Sequence, residues 1–218
     1  MTSLASVTLE VADTTAAERF HDTAFGLGLQ EVRLRSSEAP TTGFRGFTLS
    51  ITVPRPADVR SFTESAVAAG ATSLKAPEKS LWGYGSVVQA PDGTIWKLAT
   101  SSKKEAGPAT RTIEQLVLLL GVEDVKASKQ FYVGQGLAVE KSFGGKYVEF
   151  AADKSGSGTG TDAFTLALYK RPGLAKIAGV PVDGTGSHRI VLGSSAGSFT
   201  DPDGFAWEAT SLAAPASS

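Results

Sequence analysis

Ala90-Pro91-Asp92-Gly93-Thr94-Ile95-Trp96 and Asp201-Pro202-Asp203-Gly204-Phe205-Ala206-Trp207 are two versions of one phrase, a Pro-Asp-Gly turn running into a short stretch that contains Trp. Pro presets the φ of the first turn position, an Asp side chain bonds the backbone two residues on, and Gly takes the left-handed φ that closes the turn. Upstream, Val11-Ala12-Asp13 precedes Phe20 by the spacing with which Val122-Glu123-Asp124 precedes Phe131. Asp13 and Asp124 also stand as far apart as the two turns do, and Gly28-Leu29 answers Gly136-Leu137 with a slip of three residues. A matching separation at both ends of a half-chain marks a tandem repeat.

Between the copies lies Ser101-Ser102-Lys103-Lys104-Glu105-Ala106-Gly107-Pro108-Ala109, polar and small as an exposed linker is. The expected organisation is therefore a first domain at residues 1–100, a linker at 101–110, a second domain at 111–212 and a flexible tail at 213–218. Period-two alternation predicts a strand at residues 6–11. Asp13 or Thr14 then caps a helix by accepting a first-turn amide hydrogen, and Ala16, Phe20 and Phe25 supply its apolar face. In the second half, residues 116–120 read as the strand, Asp124 as the cap and residues 125–133 as the helix. Further strands are predicted at residues 29–34, 47–53, 139–143, 147–151 and 164–169.

The halves differ in the middle. Pro56-Ala57-Asp58-Val59-Arg60 opens a second helix that runs to Gly70, with Pro near its start and Gly as its stop. The second half has instead a Gly/Ser/Thr-rich insert at residues 153–162 and a Pro/Gly-rich loop at residues 171–186. Its last module is accordingly expected to lack a regular helix.

Hydrophobic residues make up 41% and charged residues 20%, which places the chain among ordinary globular proteins. The net charge of −1 sets up no field that would draw nucleic acid or an anionic membrane. The absence of Cys removes disulfide and thiolate chemistry. Met1-Thr2-Ser3-Leu4-Ala5 has neither a basic start nor a long apolar run, so no signal peptide is expected. No stretch approaches the roughly 20 apolar residues of a membrane span. A soluble, cytoplasmic protein is the expectation.

The order of strand, Asp-capped helix, glycine, strands and terminal Asp-Pro-Asp-Gly turn resembles the vicinal oxygen chelate superfamily. That superfamily holds glyoxalases, bleomycin-resistance proteins, fosfomycin-resistance enzymes and extradiol dioxygenases. The residues carrying the resemblance are Val122-Glu123-Asp124-Val125-Lys126-Ala127-Ser128-Lys129-Gln130-Phe131-Tyr132 and Phe199-Thr200-Asp201-Pro202-Asp203-Gly204-Phe205-Ala206-Trp207-Glu208. A shorter copy is Trp82-Gly83-Tyr84-Gly85 followed by the first turn, and together the copies span nearly the whole chain. The resemblance implies an α+β fold, a tandem repeat of paired βαβββ modules whose sheets curl round a cavity. The two halves would then imitate a dimer of single-domain members.

In metal-dependent members of the superfamily, His and Glu from the first and last strands of paired modules hold a divalent metal, which grips two substrate oxygens. Carried over, the first-half positions fall at Ser6, about Thr48, and Lys97, and a protonated ammonium cannot coordinate. In the second half the first-strand position falls near Leu116 or Val117, while His188 and Glu208 occupy the second His and terminal Glu positions. The metal reading is a site of His188 and Glu208 completed by water or Glu149. The plainer reading makes His188 a hydrogen-bonded pocket or strand-end residue and pairs Glu208 with Arg189 or solvent.

His21, beside Phe20, reads as a half-exposed helix residue. No Gly-x-Ser-x-Gly turn, phosphate loop or nucleic-acid module is present. Trp82 and Tyr84, set between glycines, suit a flap over a pocket; Tyr147, Tyr169 and Arg189, with Arg45, suit recognition of an anionic or planar ligand. Trp96 and Trp207 fall on repeat-related strands and read as core. The expected function is binding of a small organic molecule without a complete metal site or cofactor, and with neither nucleic acid nor membrane as partner. One alternative is a metal-dependent lyase, isomerase or dioxygenase using the second domain; another is a ligand-free interaction or regulatory module. An internal pseudo-dimer suits a monomer, and a homodimer is the other expected state.

Overall fold

The computed structural model describes residues 2–28, 30–81, 83–105, 107–152 and 164–210. Both turns form as their residues dictate. Asp92 Oδ1 accepts the Thr94 amide at 2.7 Å, and Asp201 Oδ1 accepts the amides of Asp203 and Phe205 at 3.0 and 2.8 Å. Gly93 and Gly204 have φ of 88° and 89°, a region that a side chain disfavours. Each turn delivers its Trp into the core, Trp96 at 0% and Trp207 at 2% exposure.

The first half runs β1 (Leu4–Val11), α1 (Thr14–Phe25), β2 (Arg33–Ser36), β3 (Thr41–Gly43), β4 (Phe47–Thr52), α2 (Pro56–Ala68), β5 (Thr72–Ser80), β6 (Gly83–Gln89) and β7 (Ile95–Thr100). The second runs β8 (Gln115–Val122), α3 (Val125–Gly134), β9 (Val139–Phe143), β10 (Tyr147–Phe150), β11 (Phe164–Lys170), α4 (Arg171–Ala178), β12 (Gly184–Gly186), β13 (Ile190–Ser194), β14 (Phe199–Thr200) and β15 (Ala206–Ala209). Asp13 and Asp124 cap α1 and α3 with the same backbone, φ −129° and ψ 103°; the Asp13 carboxylate accepts the Ala16 amide and that of Asp124 the amides of Lys126 and Ala127.

Five expectations change. In α1, Phe20 and Phe25 are buried but Ala16 is exposed, and His21, read as half-exposed, is 2% exposed because it completes the apolar face with Ala17 and Ala24 at the three-and-four spacing of a helix. Gly136-Leu137 answers Gly26-Leu27, not Gly28-Leu29. Both glycines have positive φ, both leucines are buried, and their amides donate to the carbonyls of His21 and Tyr132. The strand expected at residues 29–34 is β2, which begins at Arg33 and shows little apolar alternation; Leu29 lies outside the described residues. The loop expected at residues 171–186 contains α4, which has Pro172 in its first turn and ends at Gly179 with φ 80°. The insert at residues 153–162 and the tail lie outside the described residues.

Two main sheets result, and each draws on both halves of the sequence. The larger has the order β5-β6-β7-β4-β8-β11-β10-β9, joined where β4 and β8 pair antiparallel. The smaller has the order β14-β15-β13-β1-β2, joined where β1 pairs antiparallel with β13. Two full βαβββ modules, β4 to β7 with α2 and β8 to β11 with α3, share the larger sheet. Two abbreviated modules, β1-α1-β2 and β13-β14-β15, share the smaller. The fold is thus the α+β tandem of paired modules, and the last module, β13 to β15, carries no helix of its own, since α4 precedes it.

The main core lies between the sheets. Val7, Leu9 and Leu192 of the smaller sheet belong to one cluster with Leu49, Leu118 and Leu166 of the larger, completed by Phe20, Phe25, Phe62 and Tyr132 from the helices. Each buried leucine of this layer contributes about 1.5–3 kcal/mol. A second cluster lies on the opposite face of the larger sheet, where Leu174, Ala175 and Ala178 of α4 cover Phe44, Val87 and Ile95. Each sheet therefore has one face on the shared core and one facing outward, and α4 covers part of the larger sheet's outward face. No described helix is long and apolar enough to cross a membrane.

Candidate functional site

Alternation along a strand fixes what the smaller sheet presents outward. Val7 and Leu9 point into the core, so Ser6, Thr8 and Glu10 of β1 point out. The registers place Ser6 against Gly193, Gly193 against Glu208, Thr8 against Arg33 and Glu10 against Arg35. These neighbours form a polar cleft of about 450 Å³, lined by Ser6, Thr8, Arg33, Arg35, Glu208 and Thr210 among others. Gly193 forms part of its floor, where a Cβ would come within 2.2 Å of Ser6 Oγ and 2.6 Å of Thr210 Cγ2.

Across the cleft Arg35 grips Glu208 with both prongs, Nη1 to Oε1 at 2.8 Å and Nη2 to Oε2 at 2.7 Å, and lies 3.9 Å from Glu10. These hydrogen bonds hold the Glu208 carboxyl below its ordinary pKa and Arg35 above its own. The two side chains are 44% and 51% exposed, so the pair adds about 0.2–1 kcal/mol to stability at most. Its main effect is to fix the orientation of a planar guanidinium in the cleft. Among the described residues Arg33 makes no ion pair.

Glu208 thus pairs with Arg35, not with Arg189. Arg189 has φ 56° and donates through Nη1 to Ser37 O. That kink separates His188 from β13, so His188 is out of line with the strand. His188 Nδ1 lies 2.5 Å from Arg45 O, Nε2 lies 3.2 Å from Asp203 O, and the ring stacks on Phe205 at 4.0 Å. Arg45 donates in turn to Asp92 O at 2.6 Å, so His188 and Arg45 together tie one Pro-Asp-Gly turn to the other.

These residues do not fit a divalent metal. Both Glu208 oxygens face a guanidinium, both His188 nitrogens face backbone carbonyls, and Ser6 stands at the first-strand position. No three His, Cys, Asp or Glu side chains converge among the described residues. Glu149 belongs to the larger sheet, where Oε1 accepts from Lys141 at 2.7 Å and Oε2 from Tyr147 at 2.6 Å.

The tyrosine candidates do not share the cleft. Tyr147 and Tyr169 are register partners with ring centroids 6.4 Å apart on the face that carries α4. Burial, and then the bond to Glu149, push the Tyr147 phenol up. Tyr84 packs against the main core on the other face of that sheet, donates to Pro77 O at 3.3 Å and lies under Arg60 at 5.8 Å. Trp82 lies outside the described residues. Thr8, Arg33, Arg35 and Thr210 were missing from the sequence reading. The pattern Arg33-x-Arg35 would have placed two guanidiniums on one face had the bounds of β2 been legible.

Solved structures share the fold along nearly the whole chain. Glyoxalase I from Zea mays is 17% identical with a TM-score of 0.58, the match covering 95% of this chain and 91% of that one. The chain has the vicinal oxygen chelate fold. A mutant form of the maize enzyme matches with 16% identity and a TM-score of 0.59 over 96% of this chain and 92% of its own. A putative dioxygenase from Bacillus subtilis is 12% identical with a TM-score of 0.53, over 88% of this chain and 69% of its own. No family model and no curated protein matches the sequence. The vicinal oxygen chelate likeness is therefore one of fold, and the chemistry rests on this chain's own side chains.

Proposed function

We propose that this protein binds a small polar organic molecule bearing a carboxylate or comparable oxyanion in the cleft of the smaller sheet, without a complete metal site. The observation that supports this reading is the cleft itself, an open face on which Arg33 and Arg35 stand beside the hydroxyls of Ser6, Thr8 and Thr210. Its volume of about 450 Å³ falls within the roughly 300–1,000 Å³ of small-molecule sites. A guanidinium fork matches a carboxylate in geometry and charge. In the free protein Glu208 occupies the fork of Arg35. A ligand carboxylate would compete with Glu208 for Arg35 or take Arg33, with the hydroxyls selecting among ligands. Internal pairing of modules suits a monomer, and the compartment we assign is the cytoplasm.

A second reading, a ligand-free interaction module, is favoured by α4, which packs over the outward face of the larger sheet. Native mass spectrometry with elemental analysis, followed by thermal melts against aliphatic and aromatic carboxylates, separates the readings. A bound carboxylate at 100 times its Kd stabilises by about 2.7 kcal/mol, and Arg33→Ala or Arg35→Ala should remove that shift. A shift or activity obtained only with Mn, Fe, Ni or Zn and lost in Glu208→Ala would overturn the proposal in favour of a metal-dependent lyase, isomerase or dioxygenase. No shift with any carboxylate would favour the interaction module.

A further inference from the structure

The outward face of the larger sheet holds a lysine that none of the contacts above employs. The registers set Lys75, Val87, Lys97, Ser50, Val117 and Thr165 in one row across six strands, from β5 to β11. No carboxylate stands in that row. The nearest acidic positions in register are the exposed Glu78, in the row of Ala99, and Glu149, four strands away from β7 and already held by Lys141 and Tyr147. Lys97 is half-buried and makes no hydrogen bond or ion pair among the described residues. Its strand neighbour Ile95 and its row neighbour Val87 are buried under α4.

The cations on this face are equally particular. Lys75 donates to the carbonyls of Lys176 and Ile177 at 2.7 Å each, which commits its ammonium to the C-terminal end of α4. Lys75 stands two strands from Lys97, a backbone separation of about 10 Å at ordinary strand spacing. Lys97 thus sits partly out of water, beside aliphatic side chains and a fixed positive charge, with no anion to hold its own proton. Burial first, then Lys75, push its pKa down. A lysine that is desolvated or set beside another cation is the usual form of an activated amine.

We propose that Lys97 is a nucleophile that condenses reversibly with a small aldehyde or ketone at the edge of α4 to form a Schiff base. The Nζ lone pair adds to the carbonyl carbon, and the C=O pair takes a proton to give a carbinolamine. Nitrogen gives up a proton, hydroxyl leaves as water, and a C=N bond forms; amine and carbonyl become imine and one water, with no oxidant or reductant. This site is on a different sheet from the Arg33/Arg35 cleft and stands independently of it.

The test is reductive trapping on the full chain, using propanal and, separately, pyruvate with cyanoborohydride between pH 6 and 9, read by peptide mapping. The exposed Lys104 and Lys146 are internal controls. Lys97 should be trapped ahead of them near neutral pH, by about ten-fold for each unit by which its pKa is lower. Lys75→Gln should slow the trapping of Lys97, Lys97→Met should remove that adduct alone, and Arg35→Ala should leave it unchanged. Trapping of Lys97 no faster than of Lys104 and Lys146 in the wild-type chain would overturn the proposal without need of any variant.

Discussion

Beneath the two repeated tryptophans the halves pack alike and bond differently. His21 and Tyr132 are equivalent positions on α1 and α3, each 5.5 Å from its tryptophan ring, Trp96 or Trp207. In the second half every polar atom of this group has a partner. Tyr132 OH donates to Asp201 Oδ2, Trp207 Nε1 donates to Tyr132 OH at 3.3 Å, and Asp203 accepts from the Glu123 amide at 2.6 Å and Ser128 Oγ at 2.7 Å. In the first half the positions of Asp201 and Ser128 are held by Ala90 and Ala17. Both nitrogens of His21, Trp96 Nε1 and Asp92 Oδ2 are correspondingly buried without a partner. An orphaned buried polar group costs about 1–3 kcal/mol. The lesson is that the repeat conserves the shape of turn, helix and ring, while each copy settles its polar groups separately.

The largest test of this contrast is Asp201→Ala. It strips the acceptor from Tyr132 and from two turn amides, and should cost about 3 kcal/mol or more, or roughly 6–12 °C in Tm for a chain of this size. Tyr132→Phe removes one donor and leaves Asp201 Oδ2 and Trp207 Nε1 unpaired, which should cost about 1–3 kcal/mol by urea denaturation. The comparison is sharpened by grafting the second network onto the first half. In a double-mutant cycle of His21→Tyr and Ala90→Asp, the pair should couple favourably by about 0.5–3 kcal/mol; additive losses would mean that the frames differ more than their rings suggest.

The smallest effect is in pH. Burial lowers the pKa of His21 from its ordinary 6.5, with Asp92 partly opposing. Above pH 6.5 the ring is neutral folded and unfolded; as pH falls below it, the unfolded chain takes up a proton that the native chain refuses, and stability drops. Burial raises the pKa of Asp201 above its ordinary 3.8, so its sign is opposite. As pH falls through its folded pKa the native chain binds the proton first, and stability is gained. His21→Phe should therefore flatten the decline just below pH 6.5, by at most about 1.4 kcal/mol per pH unit, while Tyr132→Phe leaves that stretch of the curve alone.

Much of the frame was legible because it is written in local rules. Pro-Asp-Gly turns, Asp caps and period-two alternation need only neighbouring residues. α4 carried the same marks used for α2, a Pro in the first turn and a Gly at the stop, but its Pro and Gly content invited reading as a loop. The cleft was less legible because its partners meet across the chain. Arg35 and Glu208 are at opposite ends of the sequence and become neighbours only when β1 pairs with β13. His188 looked like a ligand by position, and only the kink at Arg189 reveals that its nitrogens serve the turns.

The pairing of β1 with β13 also has a consequence in time. β1 leaves a ribosome well before β13 and has to wait for that strand, which begins at Ile190, before its sheet can close. At about 5–20 residues per second that is an interval of roughly 10–40 s, during which Val7 and Leu9 have no sheet partner on that side. The full modules can meet earlier, through β4 and β8. The smaller sheet, and with it the cleft, thus closes only after the larger, so products cut short before β13 would display a finished larger sheet and no binding face.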